Sequence, residues 1–158
     1  VLGYNYGAKQ YSRVREGIKF HTFLCMGYTL LVTVLIMAVP QVFIRIFNND
    51  PELLKVGVPG IRYYYCAFIM MALQMSGQNT FVALGMAKKA VFFSLFRKAV
   101  ILIPLIILMP SFTGMGANGI FLAEPLSNII GGTACFLTMM LTIWRKLKKM
   151  EDGLACKR

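Results

Sequence analysis

Acidic residues are scarce in this sequence, 6 Asp and Glu against 17 Lys and Arg, and His21 is its one histidine. That scarcity excludes most constellations that carry enzyme chemistry. No Ser/His/Asp set, phosphate loop or HExxH pattern occurs. Cys25, Cys66, Cys135 and Cys156 are widely scattered, three in apolar runs and one in a basic tail. Without a CxxC or a Cys/His pairing, neither a zinc site nor a disulfide framework is indicated. The expectation is a protein that is not an enzyme, with no catalytic residue, metal or organic cofactor.

Charge of any sign is also thin, at 15% of residues, while 58% are hydrophobic. Soluble domains are about 25% charged. So little polar surface cannot clothe a water-soluble fold of 158 residues, which leaves the lipid bilayer as the covering partner. The net charge of +11 raises nucleic acid as a partner. The distribution excludes it: the basic residues lie in short clusters between long uncharged runs, as the positive-inside rule places them.

What is present are runs long enough to cross a bilayer, which takes about 20 apolar residues. Four spans are expected, at about 20–39, 62–87, 90–109 and 118–143. Before the first, residues 8–19 carry Lys9, Arg13, Arg15 and Lys19 with Tyr11, Val14 and Ile18 at helical spacing. They predict a short amphipathic helix on the membrane surface. Pro51 is placed to open a helix after the polar turn 48–50, and Pro59-Gly60 reads as punctuation. Tyr63, Tyr64 and Tyr65 fit an interfacial aromatic belt at the start of the second span. A single span over 99–123 is rejected, since Gly114, Gly116 and Gly119 would then weaken one helix interior.

The fold class is therefore all-α, a polytopic membrane helix bundle. Four basic residues occur in each of 8–19, 88–98 and 145–149, whereas the loop near 110–117 has none. Alternation places the C-terminus in the cytoplasm and the bundle in the plasma or inner membrane. The opening at Val1 reads as the middle of a longer protein, whose N-terminal portion would be a partner of this piece.

Polar residues inside spans are the candidate site, because lipid tolerates them poorly. Glu124, Ser127, Asn128, Gly131 and Cys135 recur at i, i+3, i+4, i+7 and i+11, on one helical face. Pro125 interrupts the backbone ladder beside Glu124. The stripe reads either as a seam between helices or as a cavity wall. In the second span Gln74 and Gln78 share one face with Gly77, and Asn79 lies on the adjoining one. Arg97 and Lys98 are expected to reach back to the cytoplasmic headgroups. Pairing with Glu124 is disfavoured by the depth difference between their backbones.

Three stretches resemble the MATE-type multidrug exporters: GYNYGAKQYSRVREGIK, FVALGMAKKAVFFSLFRKAVILIPLIILMP and GANGIFLAEPLSN. They match the segment after the eighth helix, the hairpin of helices ten and eleven, and the opening of helix twelve. The resemblance implies a twelve-helix transporter of two lobes, of which this chain holds the end of helix eight and helices nine to twelve. It implies a secondary antiporter that exports small organic cations or amphipathic drugs in exchange for Na⁺ or H⁺. A four-span piece supplies one wall of such a cavity and is expected to be inactive alone. Family members often carry Ser-Asp after the AEP tripeptide; here Ser127-Asn128 leaves Glu124 as the only acid within the four spans. Two other readings stand beside export. A lipid-linked sugar flippase of the same superfamily would line its cavity with basic residues, and no mid-span basic residue is expected here. A non-transporting membrane scaffold is the third.

Overall fold

The computed structural model describes residues 1–113 and 117–155. Among them the chain is helical, with helices α1 (Leu2–Gly7), α2 (Tyr11–Ala38), α3 (Pro40–Arg45), α4 (Pro51–Tyr65), α5 (Ile69–Ala83), α6 (Ala87–Leu95), α7 (Ile103–Thr113), α8 (Ala117–Met139) and α9 (Arg145–Ala155). A π-helical stretch, Phe96–Leu102, joins α6 to α7, and another, Met140–Trp144, joins α8 to α9. Three helical rods are long and apolar enough to cross a bilayer, and the pair α4–α5, bent by 49°, passes the same test when taken as one broken span.

The first span differs from expectation at its start. Tyr11 to Lys19 form no separate surface helix but the opening turns of the 28-residue α2. No breaker separates them from the apolar run. Val14 and Ile18 are buried with Phe81, Ala90, Cys135, Met139, Ile143 and Leu147, so the apolar face of this segment is spent on the bundle and not on lipid.

The second span begins earlier than its tyrosines. Asp50 caps α4, its Oδ1 accepting from the Glu52 N–H at 2.9 Å, and Pro51 follows in the first turn. Pro59 is carried inside the helix instead of ending it. Ring atoms of Phe121 sit 2.8 Å from where a Cβ of Gly60 would be, so α8 packs directly on this turn. The break falls later, at 66–68, where α4 and α5 meet at 49°. Tyr64 and Tyr65 therefore stand at the end of α4, beside that bend, and not at the start of the span.

The third and fourth spans form a hairpin, Ala87–Ser111 and Gly119–Gly153. A Cβ on Gly119 would lie 3.1 Å from the Met109 carbonyl, which shows how closely the two arms approach near the turn. Gly114, Met115 and Gly116 lie outside the described residues, as does Cys156 of the basic tail. The fourth rod runs on past residue 143 through 35 residues, about 52 Å at 1.5 Å per residue. A hydrocarbon core is only about 30 Å thick, so the basic turns of α9 project beyond it.

These contacts gather the basic segments at one end of the bundle. Val14 and Ile18 of α2, Phe81 of α5, Ala90 of α6 and Leu147 of α9 meet in one cluster. Arg15 Nη1 pairs with Glu151 Oε2 at 2.6 Å, and the Arg15 guanidinium lies 4.7 Å from the Trp144 ring centre.

Candidate functional site

The α8 stripe divides into two parts. Its lower part is a seam. A Cβ on Gly132 would fall 2.6 Å from the Met70 carbonyl oxygen, and one on Gly77 would fall 2.9 Å from Cys135 Sγ. Only hydrogen in place of a side chain lets α5 and α8 come this close. The Cys135 thiol faces the Gln74 carbonyl across the seam at 3.9 Å.

The upper part holds the polar residues, and Arg97 joins them. Its Nη1 lies 3.0 Å from Glu124 Oε1 and donates to Asn128 Oδ1 at 2.5 Å. Lys98 Nζ lies 3.6 Å from the same Glu124 oxygen. The side chains of Arg97 and Glu124 are only 6% and 12% exposed, against 54% for Lys98. The expectation that depth forbids this contact is overturned. Arg97 does not turn toward the headgroups. Its stem crosses Gly131, where a Cβ would lie 2.6 Å from Arg97 Cγ, and the guanidinium continues along α8 to Asn128 and Glu124. The backbone levels differ, and a long side chain laid in a glycine groove spans the difference. The Phe96–Leu102 π-helical stretch contains both cations.

Arg97 is also a buried basic residue, eleventh in a rod of 25. The expectation of no mid-span cation fails with it. The count of four basic residues for 88–98 likewise loses Arg97 to the bundle interior.

The remaining candidates disperse. Gln78 Nε2 donates to the Ala90 carbonyl at 3.1 Å, bracing α5 on α6. Asn79 Nδ2 donates to His21 Nε2 at 3.1 Å, toward α2, and Cys25 Sγ lies 3.6 Å from the same ring nitrogen. Ser76 meets Thr22 through their hydroxyls. Gln74 alone stays beside the stripe, its Cβ 3.8 Å from the Gly132 position. Gln74 Oε1, Arg97 Nε, Ser127 Oγ and Asn128 Nδ2 are buried without a hydrogen-bond partner. A seam sealed for its own sake would leave each such atom at a cost of about 1–3 kcal/mol. The lower half of the stripe, with Gln74, is a seam; the upper half is a buried polar cluster, and Glu124, Ser127 and Asn128 do not line the cavity at Phe121.

Next to the charge pair is a cavity of about 390 Å³, lined among others by Phe43, Phe47, Tyr64, Tyr65 and Phe121. Its walls are almost wholly apolar. Tyr64 lies within Coulombic range of both Glu124 and Arg97, and Phe121 precedes Glu124 by one turn of α8. An aromatic chamber thus adjoins a carboxylate. Sequence reasoning read Tyr64 and Tyr65 as an interfacial belt and did not single out Phe43, Phe47 or Phe121, because the five come from separate segments: α3 and the turn after it, α4 and α8. Among the described residues no group of His, Cys, Asp and Glu has the makings of a metal site.

Known structures share this fold. A MATE transporter in complex with MaL6 superposes with a TM-score of 0.86 at 17% identity, over 94% of this chain and 33% of that one. The inward-facing conformation of a multidrug resistance MATE family transporter of the MOP superfamily gives 0.85 at 19%, over 94% and 34%. The bent form of VcmN, a MATE transporter from Vibrio cholerae, gives 0.80 at 19%, over 94% and 33%. The chain thus spans about a third of the length of each. No curated protein sequence matches it. The sequence profile of the MatE family matches residues 1–108. This multi-pass membrane chain belongs to the MatE family.

Proposed function

We propose that the chain is part of the C-terminal lobe of a secondary antiporter, covering the end of helix eight and helices nine to twelve. The transporter exports small organic cations or amphipathic drugs across the plasma or inner membrane in exchange for Na⁺ or H⁺. The observation that carries this reading is the aromatic cavity of about 390 Å³ beside Glu124. Apolar walls with a few placed polar groups are the usual makeup of a small-molecule site. A ring-bearing cation finds aromatic faces in the chamber and a carboxylate at its edge. Arg97 and Lys98 both lie against Glu124 Oε1. An entering cation competes with them for one carboxylate, and Na⁺ or H⁺ competes in the same way.

The shared end of the three basic segments supports a cytoplasmic C-terminus under the positive-inside rule. In a two-lobed transporter the N-terminal lobe supplies the opposite wall of the cavity, so on this reading the present chain does not transport by itself.

Flipping of an anionic lipid-linked sugar gains one point from the structure, since Arg97 is a mid-span cation. That charge is already matched by Glu124 at 3.0 Å, which leaves Lys98 alone for a pyrophosphate. A scaffold without transport has no use for unpartnered polar atoms in the membrane.

The test is cationic-dye efflux by the full-length protein in a drug-sensitive strain, with an imposed Na⁺ or H⁺ gradient. Efflux above the empty strain that collapses with one of the gradients is expected. Efflux equal to the empty strain under both gradients overturns the proposal.

A further inference from the structure

The last helix carries basic residues that the buried charge pair does not use. α9 is fastened to α2 by buried Leu147, by the Arg15–Glu151 ion pair, and by Arg15 and Lys19 over Trp144. These contacts fix which side of α9 faces the bundle. Arg145, Lys146 and Lys149 are exposed, and none forms an ion pair among the described residues. They line a surface groove of about 580 Å³ with Leu141, Thr142 and Met150.

The groove is ordered along the helix by chemistry. Leu137 and Leu141 are exposed on the apolar run of the span. Arg145 follows one turn above Leu141, and Lys149 one turn above Arg145. Leu141, Arg145 and Lys149 line the same groove, so apolar contact, guanidinium and ammonium rise in a single column. Trp144, partly buried beside the column, marks the depth of the membrane interface.

We infer that this groove is a binding site for an anionic phospholipid, its phosphate on Arg145, Lys146 and Lys149 and an acyl chain on Leu137 and Leu141. A guanidinium grips phosphate through two parallel N–H donors, and lysines add point charges. Basic pockets at the cytoplasmic ends of spans attract anionic headgroups. A soluble phosphate would use the cations and leave the leucines unexplained, and the column contains both. The site needs only a bundle seated in a bilayer, so it stands apart from the export reading.

The experiment uses the full-length protein and reads retained lipid by native mass spectrometry, with phosphatidylglycerol against phosphatidylcholine. The parent is expected to retain phosphatidylglycerol preferentially. Each cation removed should cost about fivefold in that preference. Arg145→Gln combined with Lys146→Gln and Lys149→Gln should abolish it, and Lys149→Glu alone should weaken it. Lys88→Gln with Lys89→Gln, at the same end of the bundle but outside the groove, should leave it intact. Equal preference in the parent and the triple variant overturns the site. So does release of phosphatidylglycerol by soluble glycerol phosphate, which would mark the cations as a site for free phosphate.

Discussion

Arg97 and Glu124 sit on opposite arms of one hairpin, and their contact at 3.0 Å depends on a third residue, Gly131, over which the arginine stem runs. The guanidinium is thereby held deep in the bundle with Asn128 as a second acceptor. An ion pair at this burial is an arrangement in which each charge is tolerable because the other is there.

Removing one partner should therefore cost more than removing both. Glu124→Gln or Arg97→Met alone is expected to lower stability by about 3–5 kcal/mol, because each strands a buried charge or its donors. The double variant should recover much of that loss. Thermal unfolding of the full-length protein and its three variants, arranged as a double-mutant cycle, measures the coupling. Additive losses would contradict the pairing.

Gly131→Ala should act through Arg97. The new methyl would fall 2.6 Å from Arg97 Cγ and push the stem out of its groove. A loss of about 1–3 kcal/mol is expected from the forced rearrangement. The same substitution made in an Arg97→Ala background should be nearly harmless. Gly27→Ala provides the contrast, since nothing lies within 4 Å of that position. It should be neutral or stabilising by up to about 1 kcal/mol through helix propensity.

Transport variants should separate the dispersed amides from the charge pair. Glu124→Gln is expected to weaken cationic-dye export by about tenfold, equivalent to ~1.4 kcal/mol at the carboxylate. Asn79→Ala should leave export unchanged, because Asn79 is exposed and engaged with His21 on the α2 side. Dye efflux from cells with matched expression compares them. A larger loss from Asn79→Ala than from Glu124→Gln would move the site to the α2 side of α5.

At the basic end, Arg15 and Glu151 should not be equivalent. Glu151→Gln removes a partly exposed ion pair and is expected to cost under about 1 kcal/mol. Arg15→Ala also loses the face of Trp144, which adds roughly 0.5–1 kcal/mol. The melting temperatures of the two variants give the difference directly.

The uncharged runs made the four spans legible, since length and hydropathy suffice to identify a crossing. The helical spacing of Glu124, Ser127 and Asn128 made their shared face legible as well. The partner of that face was not, because the reasoning compared backbone depths. An arginine side chain extends several ångströms along a helix, and whether it turns toward headgroups or interior depends on a groove in the next span, at Gly131. The bend at 66–68 escaped for a different reason. Pro59 was the visible breaker, yet the helix carries it through, and the break falls at residues with no breaker among them. The cavity walls were lost because they come from separate segments, α3 and the turn after it, α4 and α8.

The buried pair also bears on how the protein is made. A span containing Arg97 and Lys98 is a poor candidate to enter a membrane alone, since each cation near a helix centre costs roughly 2.5–3.5 kcal/mol during insertion. Glu124 arrives only with the following span. Arg97 thus gains its counter-charge only once both arms of the hairpin from Ala87 to Gly153 are in the membrane.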